Sequence, residues 1–275
     1  MSGLLGQRAV VVGAGVGGLS MAGALANCFE QVEILERDRL TASIGSRSGT
    51  PQDRHPHALL AGGLRALDEI FPGFADDLAG AGAVSVRVAQ DIQFERPDVG
   101  LVPKRDFGIS LLCASRPLIE FVLRGRAETI RNISLRPQCR VTEIVPAETN
   151  DAVQGVRIDI GSGRSEKIAA DLVVDTSGRG ALTLALLDAV DGQRPEVTEV
   201  GVDISYVSAV VEIPWIQTPP AVPAPGMQLI ADFWMDFRSL ITRPPGNNIL
   251  AQVRRCGQLF PKGAGSISGL LHPSL

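Results

Sequence analysis

What this chain has least of is aromatic and histidine side chains, clustered cysteine, and any excess of basic charge. Of its 275 residues 4% are aromatic and three are histidine. The four cysteines, Cys28, Cys113, Cys139 and Cys256, stand far apart, with no CxxC pair and no histidine beside them. Zinc sites and redox dithiols need close spacing, so neither is expected, and no metal site is assigned. Scattered thiols suit a reducing compartment, which predicts a cytoplasmic location. Lys and Arg number 26 against 30 Asp and Glu, for a net charge of −4. Nucleic-acid binding needs a concentrated basic face and is not expected. No GxSxG and no nucleophile–base arrangement occurs, so no residue is nominated as catalytic.

A membrane span is also missing. Ala9 to Ala26 is uncharged, but Gly13, Gly15, Gly17, Gly18 and Gly23 interrupt it and the strand-like QVEILE follows. This reads as strand–turn–helix, not as a signal peptide or anchor. What the chain does have is 45% hydrophobic and 20% charged residues, the balance of a globular protein of one large or two smaller domains.

Arg8–Val12 is a β-branched run bounded by glycine, the pattern of a buried strand. Val16–Ala26 predicts a helix and Gln31–Leu35 a second strand, together a βαβ unit. Asp38 to Pro56 is polar and reads as a long loop. Ala58–Ile70 has helical spacing, stopped by Phe71-Pro72-Gly73. Val84–Phe94 and Leu101–Leu112 alternate like strands, and Ser115 caps a helix that Pro117 enters in its first turn. Val141–Val145, Val153–Ile160 and Ile168–Asp175 read as three strands, Ala181–Leu187 as a helix and Gly201–Ile213 as a strand. Composition then shifts: residues 213–275 hold nine of the 18 prolines and two acidic against five basic residues. Only Met227–Ile241 has helical periodicity there, through Ile230, Phe233, Trp234 and Phe237; the rest reads as loop.

The strongest motif is Gly13-Ala14-Gly15-Val16-Gly17-Gly18, a GxGxxG that follows a strand and opens a helix. Gly13 permits the tight turn, Gly15 lets the backbone approach a pyrophosphate, and Gly18 lets helix and sheet pack closely. The helix N-terminus presents free N–H groups to the phosphates. Glu36, 23 residues after Gly13, ends the second strand. A carboxylate there accepts hydrogen bonds from both hydroxyls of an adenosine ribose. The motif does not choose between NAD and FAD.

VVVGAGVGGLSMAGALA…VEILERD resembles the N-terminus of FAD-dependent oxidoreductases of the para-hydroxybenzoate hydroxylase type, in which the acid is followed by arginine, as Glu36 is by Arg37. PQDRHPHALLAGGLRALDEIFPGF (Pro51–Phe74), with Gln52, His55 and His57, is similar to a segment of bacterial FAD-dependent monooxygenase-like proteins. DLVVDTSGRGA (Asp171–Ala181) resembles that family's strand ending in Asp-x-Ser/Ala-Gly-Arg, which implies that Asp175 and Gly178 approach the nucleotide half of FAD. Ser115–Glu120 resembles the family's helix opening, whose arginine, here Arg116, lies near the flavin. The resemblance covers residues 6–213. It implies an α/β fold: a Rossmann-like FAD/NAD(P)-binding domain (1–213) carrying part of a β-sheet substrate domain, followed by a Pro-rich tail (214–275). It also implies a flavin hydroxylase using NAD(P)H and oxygen on a small organic substrate. An NAD-dependent dehydrogenase would need a second domain with a positioned acid/base, which is not found.

Read from the residues alone, Asp175 is either a ligand contact or an Asx turn closing its strand. His55 and His57 are either a loop-to-helix contact that seats FAD or a general base. Arg47, Arg54 and Arg116 are either surface residues or pyrophosphate partners. One family feature is absent: no glycine in the chain is followed by aspartate, so the Gly-Asp motif that meets the ribityl chain is missing. The substrate sheet is expected to begin at Gly201–Ile213 and stop. The alternative reading is therefore a truncated nucleotide-binding remnant of the family with little turnover.

Overall fold

The structure is a computed structural model that describes residues 3–91, 95–96, 100–101, 103–161, 163–201, 204–211, 227–232, 236–241 and 249–256. From 204 onward, in 95–96 and 100–101, and at Arg54 and Pro56, it describes backbone only. In chain order the elements are β1 (Gly6–Val12), α1 (Val16–Leu25), β2 (Phe29–Leu35), a 3-10 turn (Pro51–Arg54), β3 (Pro56–Leu59), α2 (Ala61–Ile70), α3 (Phe74–Gly80) and β4 (Val84–Arg87). There follow β5 (Glu95–Arg96), β6 (Gly100–Leu101), β7 (Ser110–Ser115), α4 (Arg116–Glu128), β8 (Ile133–Arg136), β9 (Arg140–Pro146), β10 (Val153–Asp159), β11 (Ser165–Ala169), β12 (Leu172–Asp175) and α5 (Ala181–Ala189). The last strands are β13 (Ile204–Val211), β14 (Met227–Asp232), β15 (Asp236–Ile241) and β16 (Ile249–Cys256). The chain divides into two compact units, residues 1–86 with 109–197, and 87–108 with 198–275.

The first unit is built on a parallel sheet ordered β12-β1-β2-β8. Its central strand is apolar on both faces because both are covered. Side chains alternate across a strand, so Ala9 and Val11 go to one side and Val10 and Val12 to the other. Ala9 and Val11 join Leu19, Ile34, Phe74, Ile119 and Leu123 in a core made with α1, α3 and α4. Val10 and Val12 join Leu35, Ile144, Val156 and Ile158 in a second core beneath an antiparallel sheet ordered β11-β10-β9, with Leu182 and Leu186 of α5 packed against it. Three layers result: helices, parallel sheet, antiparallel sheet. Ala9, Val10, Val11, Val32 and Ile34 are fully excluded from solvent. At roughly 25 cal/mol per Å² of apolar area, each buried branched side chain contributes about 1.5–3 kcal/mol.

The expected strand–helix–strand opening is present, as are the helix capped by Ser115, whose Oγ accepts from the Leu118 N–H at 3.4 Å, and the helix after Gly180. Several boundaries differ from expectation. Ile168–Asp175 is two strands, because Ile168 and Ala169 pair antiparallel with β10 whereas Leu172–Asp175 pair parallel with β1. The chain changes layers at Ala170–Asp171, and the Asp171 carboxylate secures the change by accepting from the Gln7 and Arg8 N–H groups at 2.7 and 2.9 Å. Apolar pattern alone cannot show such a crossing. The helix expected from Ala58 begins at Ala61, because Pro56–Leu59 pairs with β7. The strand expected over Val84–Phe94 ends at Arg87, where Asp91 accepts from the Arg87 N–H at 2.8 Å and turns the chain; residues 92–94 lie outside the described residues. The strand expected over Leu101–Leu112 is replaced by β6, which ends at Leu101, and by β7 from Ser110. The short elements α3 and β8 have no counterpart in the expectations.

In the second unit β5 pairs with β6, and a four-stranded antiparallel sheet runs in the order β13-β16-β15-β14. This corrects two expectations. The sheet begun by β13 continues, and Met227–Ile241 is a strand pair, not a helix: Met227 opposes Ile241 and Asp232 opposes Asp236. The helical spacing ran across two strands, and long-range pairing of the second with β16 decides between the two periods. Phe233 and Trp234 lie outside the described residues.

The close packing of α1 on β1 rests on two glycines. Gly13 has φ +101°, a left-handed conformation that favours glycine. A Cβ at Gly18 would lie 1.8 Å from the Gly13 carbonyl oxygen, whereas one at Gly17 meets nothing within 4 Å. Gly18→Ala is therefore expected to cost about 3 kcal/mol or more, and Gly17→Ala to be neutral or to stabilise by about 0.5 kcal/mol. Urea unfolding of both variants checks this; equal midpoints would contradict it.

Candidate nucleotide site at the carboxyl edge of the parallel sheet

The ends of three strands coincide. Val12 is in register with Leu35 on one side and Asp175 on the other, so the turns after β1, β2 and β12 open at one level. A ligand crevice forms at such an edge in open α/β sheets. Gly13 donates its N–H to the Leu35 carbonyl at 2.8 Å, tying the glycine turn to β2. From the other side the Thr176 hydroxyl donates to the Val12 carbonyl at 2.6 Å. Helix α1 then starts with no side-chain cap and no acidic residue in its first turn, so its leading N–H groups and positive dipole end are left for an anion.

Glu36 is buried at the end of β2, where one oxygen accepts from the Ala14 N–H at 2.7 Å and the other from the Asp38 N–H at 2.9 Å. Arg47 stands 3.3 Å from the same carboxylate. A carboxylate offers about four lone-pair sites, so one is left for a ribose hydroxyl without displacing a partner. This narrows the sequence expectation of a contact to both hydroxyls.

Arg47 organises the rest. Its Nε and Nη2 donate to Glu120 Oε2 at 3.1 and 3.0 Å, and its Nη1 donates to Asp38 Oδ2 at 3.0 Å. Burial alone would lower its affinity for a proton, but Glu120 and Glu36 hold the guanidinium charged, above the ordinary arginine range. Burial alone would raise the Asp38 carboxyl, yet hydrogen bonds from the Gly49 N–H, the Ser48 hydroxyl and Arg47 hold it below the usual carboxylate range. Asp53 anchors the same loop by accepting from the Arg47 N–H at 3.1 Å. Arg116, at the start of α4, donates its Nε to Glu120 Oε1 at 2.7 Å. The Nη2 atoms of Arg47 and Arg116 each lie 3.8 Å from where a Cβ on Gly15 would stand. Two cations thus converge on the backbone that the sequence assigns to a pyrophosphate.

Gly13–Gly18, Glu36 and Arg116 are brought together, with Arg47 between them. The other sequence candidates are not among the groups nearest Gly15. Arg37 is exposed and only 4.0 Å from an Asp38 oxygen. Gln52 is exposed in the 3-10 turn, which packs on α4. His55 ends that turn, half-buried, and its carbonyl lies 2.8 Å from His57 Nδ1. Asp175 accepts from the Ser177 N–H and hydroxyl with one oxygen and from the Thr183 N–H and hydroxyl with the other. It closes an Asx turn and caps the first turn of α5. Burial alone would raise its carboxyl, but the Ser177 and Thr183 bonds bring it below the usual range. Gly178 has φ +114° with open space around it. The Arg54 side chain lies outside the described residues. Cys113 and Cys139 are buried and free, and burial pushes both thiols up. Among the described residues no group of His, Cys, Asp or Glu could hold a metal ion, and no helix is long and apolar enough to cross a membrane.

Sequence reasoning did not single out Asp38, Asp53, Glu120 or Thr176. Only Glu120 had a local signal, its four-residue spacing from Arg116 on one helix face. Beside the cluster, Leu40 and Thr41 face Phe121 and Arg124 across a cleft. Arg124 spans it, donating to the Thr41 carbonyl at 2.5 Å with its guanidinium 5.6 Å from the Phe121 ring centre.

No family model matches the chain. Protein Rv3254 of Mycobacterium tuberculosis (strain ATCC 25618 / H37Rv) is 34% identical over 234 residues, covering 78% of this chain and 47% of that protein. The chain therefore spans about half the length of this curated relative. Among solved structures it is similar to PqsL of Pseudomonas aeruginosa, described as a probable FAD-dependent monooxygenase, with TM-score 0.62, 16% identity, and coverage of 90% of this chain and 60% of PqsL. It is also similar to p-nitrophenol 4-monooxygenase PnpA of Pseudomonas putida DLL-E4, with TM-score 0.60, 17% identity, and coverage of 97% and 61%. The chain has the α/β fold of these proteins, with a Rossmann-like domain.

The four side chains of the cluster are between 5% and 12% exposed, so its charges are poorly screened. Arg47→Ala leaves three carboxylates facing one another and is expected to destabilise by about 3–5 kcal/mol, read as the shift in urea midpoint. Asp38 has a depressed carboxyl, so its stabilisation is complete above its unfolded value of about 4 and is lost as pH falls through the lower folded value. Asp38→Asn is expected to be less stable than the parent at pH 7 and to lose less stability between pH 5 and pH 2. Parallel pH curves for the two proteins would contradict this.

Proposed function

We propose that this chain binds FAD and acts as the flavin-binding part of a monooxygenase-type oxidoreductase, reduced by NAD(P)H and acting on a small organic substrate with oxygen. The observation that carries the reading is the convergence of the uncapped α1 N-terminus with the Arg47 and Arg116 guanidinium groups over Gly15. A diphosphate needs backbone N–H donors and cations at one place, and this edge supplies both. The residues present fit the dinucleotide. Gly15 and the first turn of α1 would hold the diphosphate with Arg47 and Arg116, and Glu36 would take a ribose hydroxyl.

Bound FAD supplies the redox chemistry, which explains why no catalytic triad is needed. The chain's own residues bind and orient. Arg116 projects from the start of α4 beside the diphosphate, and the cleft lined by Leu40, Thr41, Phe121 and Arg124 continues from that point. Arg39, Arg47 and Arg124 line it together with Glu120, so its charge is mainly basic and suits an acidic group. PqsL has been solved with 2-aminobenzoylacetate, a small organic acid, which supports a substrate of that general size. The buried, unpaired thiols suit a reducing cytoplasm.

A second reading is adenine-nucleotide binding with weak turnover, favoured by a site whose glycine turn, cations and Glu36 address a diphosphate and a ribose alone. The visible spectrum of the purified chain separates them. Flavin bands that NADH or NADPH bleaches support the oxidoreductase, whereas bands that neither reductant bleaches support the second reading. A colourless protein that takes up no added FAD would sink the first and leave only the second. Within the first reading, Glu36→Ala is expected to weaken FAD at least tenfold, measured by quenching of flavin fluorescence on titration.

A further inference from the structure

We infer that Glu120 is the positioning residue of the diphosphate site, holding Arg47 and Arg116 by their inner edges so that their outer ends stand over Gly15. The inference rests on the FAD reading for the identity of the whole ligand, though its geometry is independent of the flavin.

Glu120 is 9% exposed and lies on α4, one turn after Arg116. Its two oxygens serve two different arginines: Oε2 takes Nε and Nη2 of Arg47, and Oε1 takes Nε of Arg116. A guanidinium has five N–H donors. Arg116 spends one of them on Glu120, and among the described residues its Nη1 and Nη2 have no partner. Arg47 spends Nε and half of Nη2 on Glu120 and points Nη1 at Asp38 and Glu36. One N–H on Nη2 is left. Both Nη2 atoms are 3.8 Å from the Cβ position of Gly15, and Glu120 Oε1 is 3.7 Å from it.

The carboxylate could instead be a plug that an incoming diphosphate must displace. The donor count argues for the clamp. Contacts to Glu120 run mainly through the Nε edges, and the donors left over are terminal ones beside Gly15, so diphosphate and Glu120 can be held together. Ordering two long arginine side chains before the ligand arrives removes a rotamer cost that would otherwise be charged to binding. The charge of Glu120 is already offset by the two cations it holds.

The test is to titrate the folded full chain and its Glu120→Gln variant with inorganic pyrophosphate, FAD and adenosine by calorimetry. The amide keeps the shape but only one acceptor oxygen, so one arginine is released. Pyrophosphate and FAD are expected to bind at least tenfold more weakly to the variant, with adenosine unchanged. Equal or tighter pyrophosphate binding overturns the inference, and an equal loss for adenosine reduces Glu120 to a structural part of the fold. Pyrophosphate binding with no FAD binding to the parent chain overturns the FAD reading alone, whereas failure of both ligands overturns both. Should the variant not fold, nitrogen-15 spectra of the parent chain decide. The clamp predicts that the slowly exchanging Nε–H signals of Arg47 and Arg116 persist when pyrophosphate is added, and their loss would favour the plug.

Discussion

The absence of a side chain at Gly18 is the constraint from which the rest of this structure follows. A single methyl there would sit 1.8 Å from the Gly13 carbonyl, so α1 could not approach the end of β1. With the helix pressed against the strand, its N-terminus meets the carboxyl edge of the sheet at the level where β2 and β12 also end. The helix dipole, the turn after β2 and the turn after β12 thereby share one crevice. The strand itself can be apolar on both faces because α1, α3 and α4 cover one side and the β9–β11 sheet and α5 cover the other.

Charge is concentrated at that crevice. Arg47 is placed between Glu36, Asp38 and Glu120, which come from the end of β2, the loop after it and α4. None of these carboxylates is more than 11% side-chain exposed, and the guanidinium is the partner that all three share. The cluster also gives the long loop after β2 its shape. Asp38 receives the Gly49 N–H at 2.7 Å and the Ser48 hydroxyl at 2.9 Å, and Asp53 receives the Arg47 N–H. A segment that is polar and without regular structure is ordered by ion pairs, and those ion pairs are the ones that present cations to the glycine turn.

The βαβ opening was fully legible because its signals are local: a β-branched run, glycines in register, helix formers, a second strand and a terminal acid. Ser115 as a cap, with Pro117 behind it, was legible for the same reason. The errors came where one stretch serves two partners. Ile168–Asp175 is one apolar run in sequence, yet its two halves belong to different sheets. Met227–Ile241 has helical spacing, yet its halves pair with each other and its second half also pairs with β16. At Asp175 the local pattern allowed an Asx turn, and its oxygens do accept from Ser177 and Thr183.

By itself the sequence determined the glycine-rich opening, the β1–α1–β2 order and the acid that ends β2. Each follows from residues within one or two turns of one another, where spacing and backbone stereochemistry leave few choices. Only the tertiary structure decided that Arg47, in a loop, and Arg116, on a helix, meet at Gly15 through Glu120, which lies 73 residues from Arg47 along the chain. It also decided that the last strands form a sheet. Ion pairs and strand ladders between distant segments leave no period in the sequence, because their partners are selected by packing after the local elements have formed.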